Sequence, residues 1–137
     1  MKAIIDTCVI LDYLLERENF FEDARKIIEL CSKNKIDAYV TTKSIMDIHY
    51  VIKHYNHNEV KTRLIIHMIL NILNPLSSRS KEAVKALDSL VHDYEDALMV
   101  ETAISNKINC IITRNVKDYK KATIDVYSPD QILKKFK

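Results

Sequence analysis

Met1-Lys2-Ala3-Ile4-Ile5-Asp6-Thr7-Cys8-Val9-Ile10-Leu11 opens the chain. Within residues 2–6, Ala3, Ile4 and Ile5 are apolar and the run closes on the Asp6 carboxylate. That pattern reads as a short buried strand whose last side chain projects from the carboxyl edge of a sheet. Residues 8–16 continue as a helix, with Asp6 or Thr7 at its cap. A buried strand running directly into a helix is the start of a βα unit, and such units build parallel sheets.

The same alternation continues downstream. Residues 20–33 carry Ala24, Ile27, Ile28 and Cys31 on one helical face. Residues 38–41 read as a second strand and 42–54 as a third helix. Residues 59–73 place Leu64, Ile65, Met68, Ile69 and Ile72 at helical spacing, and Asn74-Pro75 stops that helix. Helices are expected over 78–91 and 93–105, and strands over 110–113 and 124–127. Ser128-Pro129 then caps and opens a last helix. The expected fold is α/β, one domain over residues 1–137, with helices on both faces of a parallel sheet.

Composition narrows the function classes. A chain of 137 residues, 47% apolar and 29% charged, is an ordinary globular protein able to bury roughly two-thirds of its unfolded surface. No apolar run approaches a membrane span, and Asp6 interrupts the first apolar segment, so neither a membrane anchor nor a signal peptide is expected. The expected location is the cytoplasm. Glycine is absent, which excludes dinucleotide fingerprints and Walker loops. Left-handed helix stops then fall to asparagine, at Asn34 and Asn106. The three cysteines, Cys8, Cys31 and Cys110, have no zinc spacing and read as core residues. The five histidines likewise show no zinc pattern, and none has an obvious nucleophile partner.

Five carboxylates stand at or beside the ends of apolar runs: Asp6, Asp47, Asp93, Asp96 and Asp118. Each has a plainer reading taken alone. Asp6 caps a helix. Asp47 belongs to a solvated helix face, although Ser44 lies three residues before it and faces the same way. Asp93 and Asp96 complement a helix dipole. Asn115 and Asp118 suit a turn. Together they suggest a cleft of mutually repelling acids that a divalent cation neutralises. Net charge is only +2, but Arg114, Lys117, Lys120 and Lys121 surround Asp118, and Lys134, Lys135 and Lys137 end the chain. Local clustering of this kind suits a polyanion.

Four stretches resemble the PIN domain family, the nuclease fold of VapC-type toxins and RNA-processing enzymes. They are Ile5-Asp6-Thr7-Cys8-Val9-Ile10-Leu11, Thr42-Lys43-Ser44-Ile45-Met46-Asp47-Ile48, Asp93-Tyr94-Glu95-Asp96-Ala97-Leu98 and Thr113-Arg114-Asn115-Val116-Lys117-Asp118-Tyr119. The third resembles a bacterial branch of the family. The resemblance implies a three-layer α/β/α fold with a short, mostly parallel sheet of four to five strands.

It also implies a metal-dependent endoribonuclease using Mg²⁺ or Mn²⁺, with a VapBC-type toxin as one setting. Asp6, Asp47, Asp96 and Asp118 would be catalytic. Asp6, Asp96, Asp93 and Asp118 would hold metal. Thr7, Ser44, Thr113 and Asn115 would support them, and Arg114, Lys117 and Lys120 would touch the RNA backbone. Two departures stand out. Asp47 replaces the family's usual glutamate, so it would reach metal only through a water. Asn115 stands where aspartate is common, which lowers the site's charge and suggests a weaker or single-metal site. Expected partners are RNA, an antitoxin and a second copy of the chain, with helices 59–73 and 20–33 as candidate surfaces.

Two other readings compete. One is a PIN-like binding or scaffold protein with a degenerate site. The other is a phosphatase of the haloacid-dehalogenase type, which needs a second aspartate where Cys8 stands.

Overall fold

The opening strand lies at the centre of the molecule, and that placement decides where the acids meet. A computed structural model describes residues 1–137. Five strands, β1 (Lys2–Ile5), β2 (Asp37–Thr41), β3 (Asn74–Leu76), β4 (Cys110–Ile112) and β5 (Asp125–Tyr127), form one sheet in the order β3-β2-β1-β4-β5. Every pairing is parallel. The chain winds outward from β1 through β2 to β3, then returns past the centre to β4 and β5. Strand order therefore reverses between β1 and β4, and the carboxyl edge there is where open sheets leave a crevice.

The helices are α1 (Thr7–Leu14), α2 (Phe21–Ser32), α3 (Thr42–Asn56), α4 (Glu59–Leu70), α5 (Ser80–Ala86), α6 (Tyr94–Ser105) and α7 (Pro129–Lys135), with a 3₁₀ turn over Val116–Tyr119. Side chains alternate along each strand, so one strand feeds two cores. Ala3, Ile5, Ala38, Val40, Cys110 and Ile112 face a layer built on α1, α2, α3, α4 and α7. Ile4 and Ile111 face the other, built on α5 and α6. The three-layer α/β/α arrangement expected from the sequence is the one observed.

The differences are local. A fifth strand, β3, forms where the sequence alone suggests a helix stop. Pro75 pairs with Val40 at the sheet's edge, where the missing N–H of proline costs no ladder bond. The helix expected over 78–91 ends at Ala86. Left-handed backbone falls on Asn34 as expected, but then on Lys107 (φ 57°) rather than Asn106 (φ −103°), and also on Glu16, Asn19 and His57. With no glycine in the chain, residues bearing a Cβ take these corners. Of the two helices expected to offer a docking face, α2 buries Ala24, Ile27, Ile28 and Cys31 in the core. α4 instead leaves Val60, Leu64 and Met68 in solvent along one side.

Candidate functional site

Asp6 follows β1 directly, and its N–H donates to the Ile112 carbonyl of β4 at 2.9 Å. This ladder bond places the carboxylate over the point where strand order reverses. As N-cap of α1, Asp6 Oδ1 accepts from Thr7 N at 2.7 Å. Oδ2 accepts from Thr113 Oγ1 at 2.8 Å and from Tyr119 Oη at 3.2 Å. Thr113 is fully buried just beyond β4 and also receives the Asn115 N–H at 3.0 Å. One threonine thus ties the end of β4 to the end of β1.

Asp96 arrives from the other helical layer, in the first turn of α6. Its Oδ1 accepts from Tyr119 Oη at 3.1 Å. Asp6 and Asp96 therefore converge on one phenol. Burial raises the Asp96 carboxyl to about 6, opposed by the Tyr119 bond and assisted by the charges of Asp93, Asp6 and Asp118. Burial likewise raises Asp6, against the hydrogen bonds of Thr113, Thr7 and Tyr119 and with the help of the Asp118 charge. Burial and the two carboxylates push the Tyr119 hydroxyl above its ordinary range, so it stays a donor. Water-poor surroundings and like charge oppose ionisation of both acids, and a hard cation would reverse that preference.

The other expected residues divide. Asp118 lies close enough to raise both Asp6 and Asp96, from an exposed position on the 3₁₀ turn. Asp93 is the N-cap of α6, accepting the Asp96 N–H at 3.1 Å. Asp47 lines the same cleft, a space of about 510 Å³. Both of its oxygens are taken by Lys43 Nζ, at 2.7 and 2.6 Å. Glu95 lines that cleft as well and stands 3.5 Å from the same ammonium. Ser44 is buried and touches no acid. It accepts from Thr7 Oγ1 at 2.8 Å and so braces the first residue of α1. Asn115 precedes the 3₁₀ turn and makes no side-chain cap bond. No three acidic, histidine or cysteine side chains stand close enough to enclose an ion. The donor set is two half-buried carboxylates facing one point, open to water.

Arg114, expected at the RNA backbone, is committed elsewhere. It donates Nε to Asp12 Oδ2 at 2.8 Å and Nη2 to Oδ1 at 3.0 Å, and it lies 4.1 Å over the Phe20 ring. Arg17 Nη1 adds a third contact to Asp12 at 3.3 Å. The bidentate fork pins the loop that carries Thr113 and Tyr119 onto α1. Lys117 and Lys120 remain exposed beside Asp118. Neither Asp12 nor Tyr119 was singled out from sequence. Asp12 carried a signal, as a lone acid amid Val9, Ile10, Leu11, Leu14 and Leu15. Tyr119 had only its position one residue after Asp118.

A sequence model described as PIN domain matches residues 2–117. No curated protein matches the chain. Solved structures do. The VapBC2 complex of Rickettsia felis bound to a promoter DNA fragment is 14% identical with a TM-score of 0.71, covering 93% of this chain and 98% of that one. A toxin–antitoxin complex from Klebsiella pneumoniae is 23% identical with a TM-score of 0.70, covering 93% and 97%. FitAcB from Neisseria gonorrhoeae is 15% identical with a TM-score of 0.69, covering 93% and 97%. At these identities the likeness is one of fold.

Proposed function

The chain belongs to the PIN domain family, and on that premise we propose that it is a metal-dependent endoribonuclease, the toxin of a toxin–antitoxin pair. The observation that carries the reading is the convergence of Asp6 and Asp96 on one point at the reversal of strand order. The donor set fits Mg²⁺ or Mn²⁺, because such ions bind through one or two carboxylates and keep several waters. A bound ion would supply Lewis-acid polarisation of the scissile phosphate and a nucleophilic water at neutral pH.

The chain's own residues divide the remaining work. Asp6 and Asp96 hold the cation, and Thr113 and Thr7 hold Asp6. Asp118 and Asp93 add negative charge at its edge and orient water. Asp47 acts through water, since Lys43 occupies both of its oxygens. Lys117 and Lys120 contact the RNA backbone, which positions substrate without reading bases. The structural neighbours include a toxin–antitoxin complex and a VapBC2 complex bound to promoter DNA, which supports an antitoxin partner. The exposed Val60, Leu64 and Met68 of α4 offer an apolar face for that partner or for a second copy.

The test is RNA cleavage by the purified chain with Mg²⁺, Mn²⁺ or EDTA. Asp6→Asn and Asp96→Asn should each abolish cleavage while circular dichroism stays unchanged. Full activity in either variant sinks the assignment. The Lys43–Asp47 pair favours a second reading, a binding protein that no longer takes metal. Calorimetry with Mn²⁺ separates the two, because only the nuclease takes up the ion.

A further inference from the structure

Tyr119 is 2% exposed and packs in the α5–α6 core. A phenylalanine would fill that volume without the loss of hydration that a buried hydroxyl suffers. The oxygen must therefore be offset by its partners. They are Asp6 Oδ2 at 3.2 Å, Asp96 Oδ1 at 3.1 Å and Met99 Sδ at 3.5 Å.

A phenol has one proton and three takers here, so only one bond is donated at a time. The two carboxylates do not need it equally. Asp6 already accepts from Thr7 N and Thr113 Oγ1. For Asp96, the phenol is the one side chain that donates a hydrogen bond to its carboxylate. Without the hydroxyl, nothing aims that carboxylate at Asp6.

We infer that Tyr119 is a positioning residue for the divalent-cation site: its buried hydroxyl aims Asp96 across the cleft at Asp6 and so sets the affinity for the ion. The inference rests on the proposed function, since it takes Asp6 and Asp96 as the ligand pair. Hydrogen bonds to metal-binding side chains fix their orientation, and their loss typically weakens metal affinity by about 10–100-fold.

The experiment measures Mn²⁺ binding to the full chain by calorimetry, for wild type, Tyr119→Phe and Met99→Leu, with folding checked by circular dichroism. Met99 lines the cleft and takes the same hydroxyl at Sδ without hydrogen-bonding a carboxylate, so it reports packing. Tyr119→Phe should weaken Mn²⁺ binding by about tenfold, and Met99→Leu should leave it unchanged. Equal binding by wild type and Tyr119→Phe would overturn the positioning role and leave the nuclease reading standing. Equal weakening in both variants would also overturn it, in favour of packing. Absence of Mn²⁺ uptake by the wild type would overturn the proposed function, and this inference with it. A second measurement covers a Tyr119→Phe chain that does not fold. The wild-type phenol proton should move in the NMR spectrum on adding Mg²⁺, and an unmoved resonance rejects the role.

Discussion

Asp12 and Arg114 meet through two parallel hydrogen bonds, Nε to Oδ2 at 2.8 Å and Nη2 to Oδ1 at 3.0 Å, with the carboxylate 2% exposed. The pair joins the middle of α1 to the loop after β4. Two of the main contributors to the site, Asp6 and Thr113, sit at the two ends of that connection.

Asp12→Ala should be among the most destabilising single changes in the chain. It would leave Arg114 and Arg17 without their shared anion. Breaking a buried pair from one side costs about 3–5 kcal/mol, and the partly exposed arginines reduce that to about 2–3 kcal/mol. Urea unfolding measures it. Arg114→Lys keeps the charge but not the fork, and should lose about 1 kcal/mol. A loss below about 0.5 kcal/mol for Asp12→Ala would show the pair to be ornamental.

The metal-free protein should lose stability as pH rises from about 4 to about 6. Asp96 is raised to about 6 from its ordinary 3.8. Between those values the folded chain holds a proton that the unfolded chain has released, so unfolding is favoured as protons become scarce. Asp6 is shifted in the same direction. Urea midpoints in EDTA for wild type and Asp96→Asn check this. The difference between them should change in favour of Asp96→Asn across the window, and saturating Mn²⁺ should remove the slope. Parallel curves would show that Asp96 ionises normally.

Lys43→Gln should tighten Mn²⁺ binding severalfold. The ammonium occupies both oxygens of Asp47 and stands 3.5 Å from Glu95. Removing a positive charge from an acidic cleft is worth on the order of 1 kcal/mol to a divalent cation. Calorimetry at low salt should show the gain, and it should shrink as salt is added. Weaker Mn²⁺ binding would mean that Lys43 orders Asp47 for the ion rather than competing with it.

Lys107→Gly should stabilise the fold by about 0.5–1 kcal/mol, because Lys107 holds φ at 57° with a Cβ in the way. A rise in melting temperature of about 2–4 °C is expected. Asn34→Gly should gain less, since asparagine tolerates that region.

Element types were largely legible in the sequence because the central strands are short apolar runs and the longer helices bury one spaced face. Ala24, Ile27, Ile28 and Cys31 lie in the core as their spacing required. β3 was hidden because Asn74-Pro75-Leu76 is too short for periodicity, and proline reads as a stop before it reads as an edge. The helix expected to run to residue 91 stops at Ala86, and Leu87 and Leu90 beyond it are exposed, with no apolar face left to bury. In the site, Asp6 and Asp96 were visible because a strand end and a helix start are local signals. The Asp12–Arg114 fork and the Tyr119 hydroxyl were not, because each joins residues 23 to 113 positions apart. Only the folded sheet brings them together.

The central position of β1 has a consequence for the order of events during synthesis. The strand made first has one flanking neighbour in residues 37–41 and the other in residues 110–112. Until that second neighbour emerges, Asp6 has neither the Ile112 carbonyl nor Thr113 and Tyr119 around it. A ribosome-bound fragment that stops short of β4 therefore carries Asp6 without Thr113, Asp118 and Tyr119. The chain acquires its proposed cutting centre only after residues 110–119 have emerged and paired with β1.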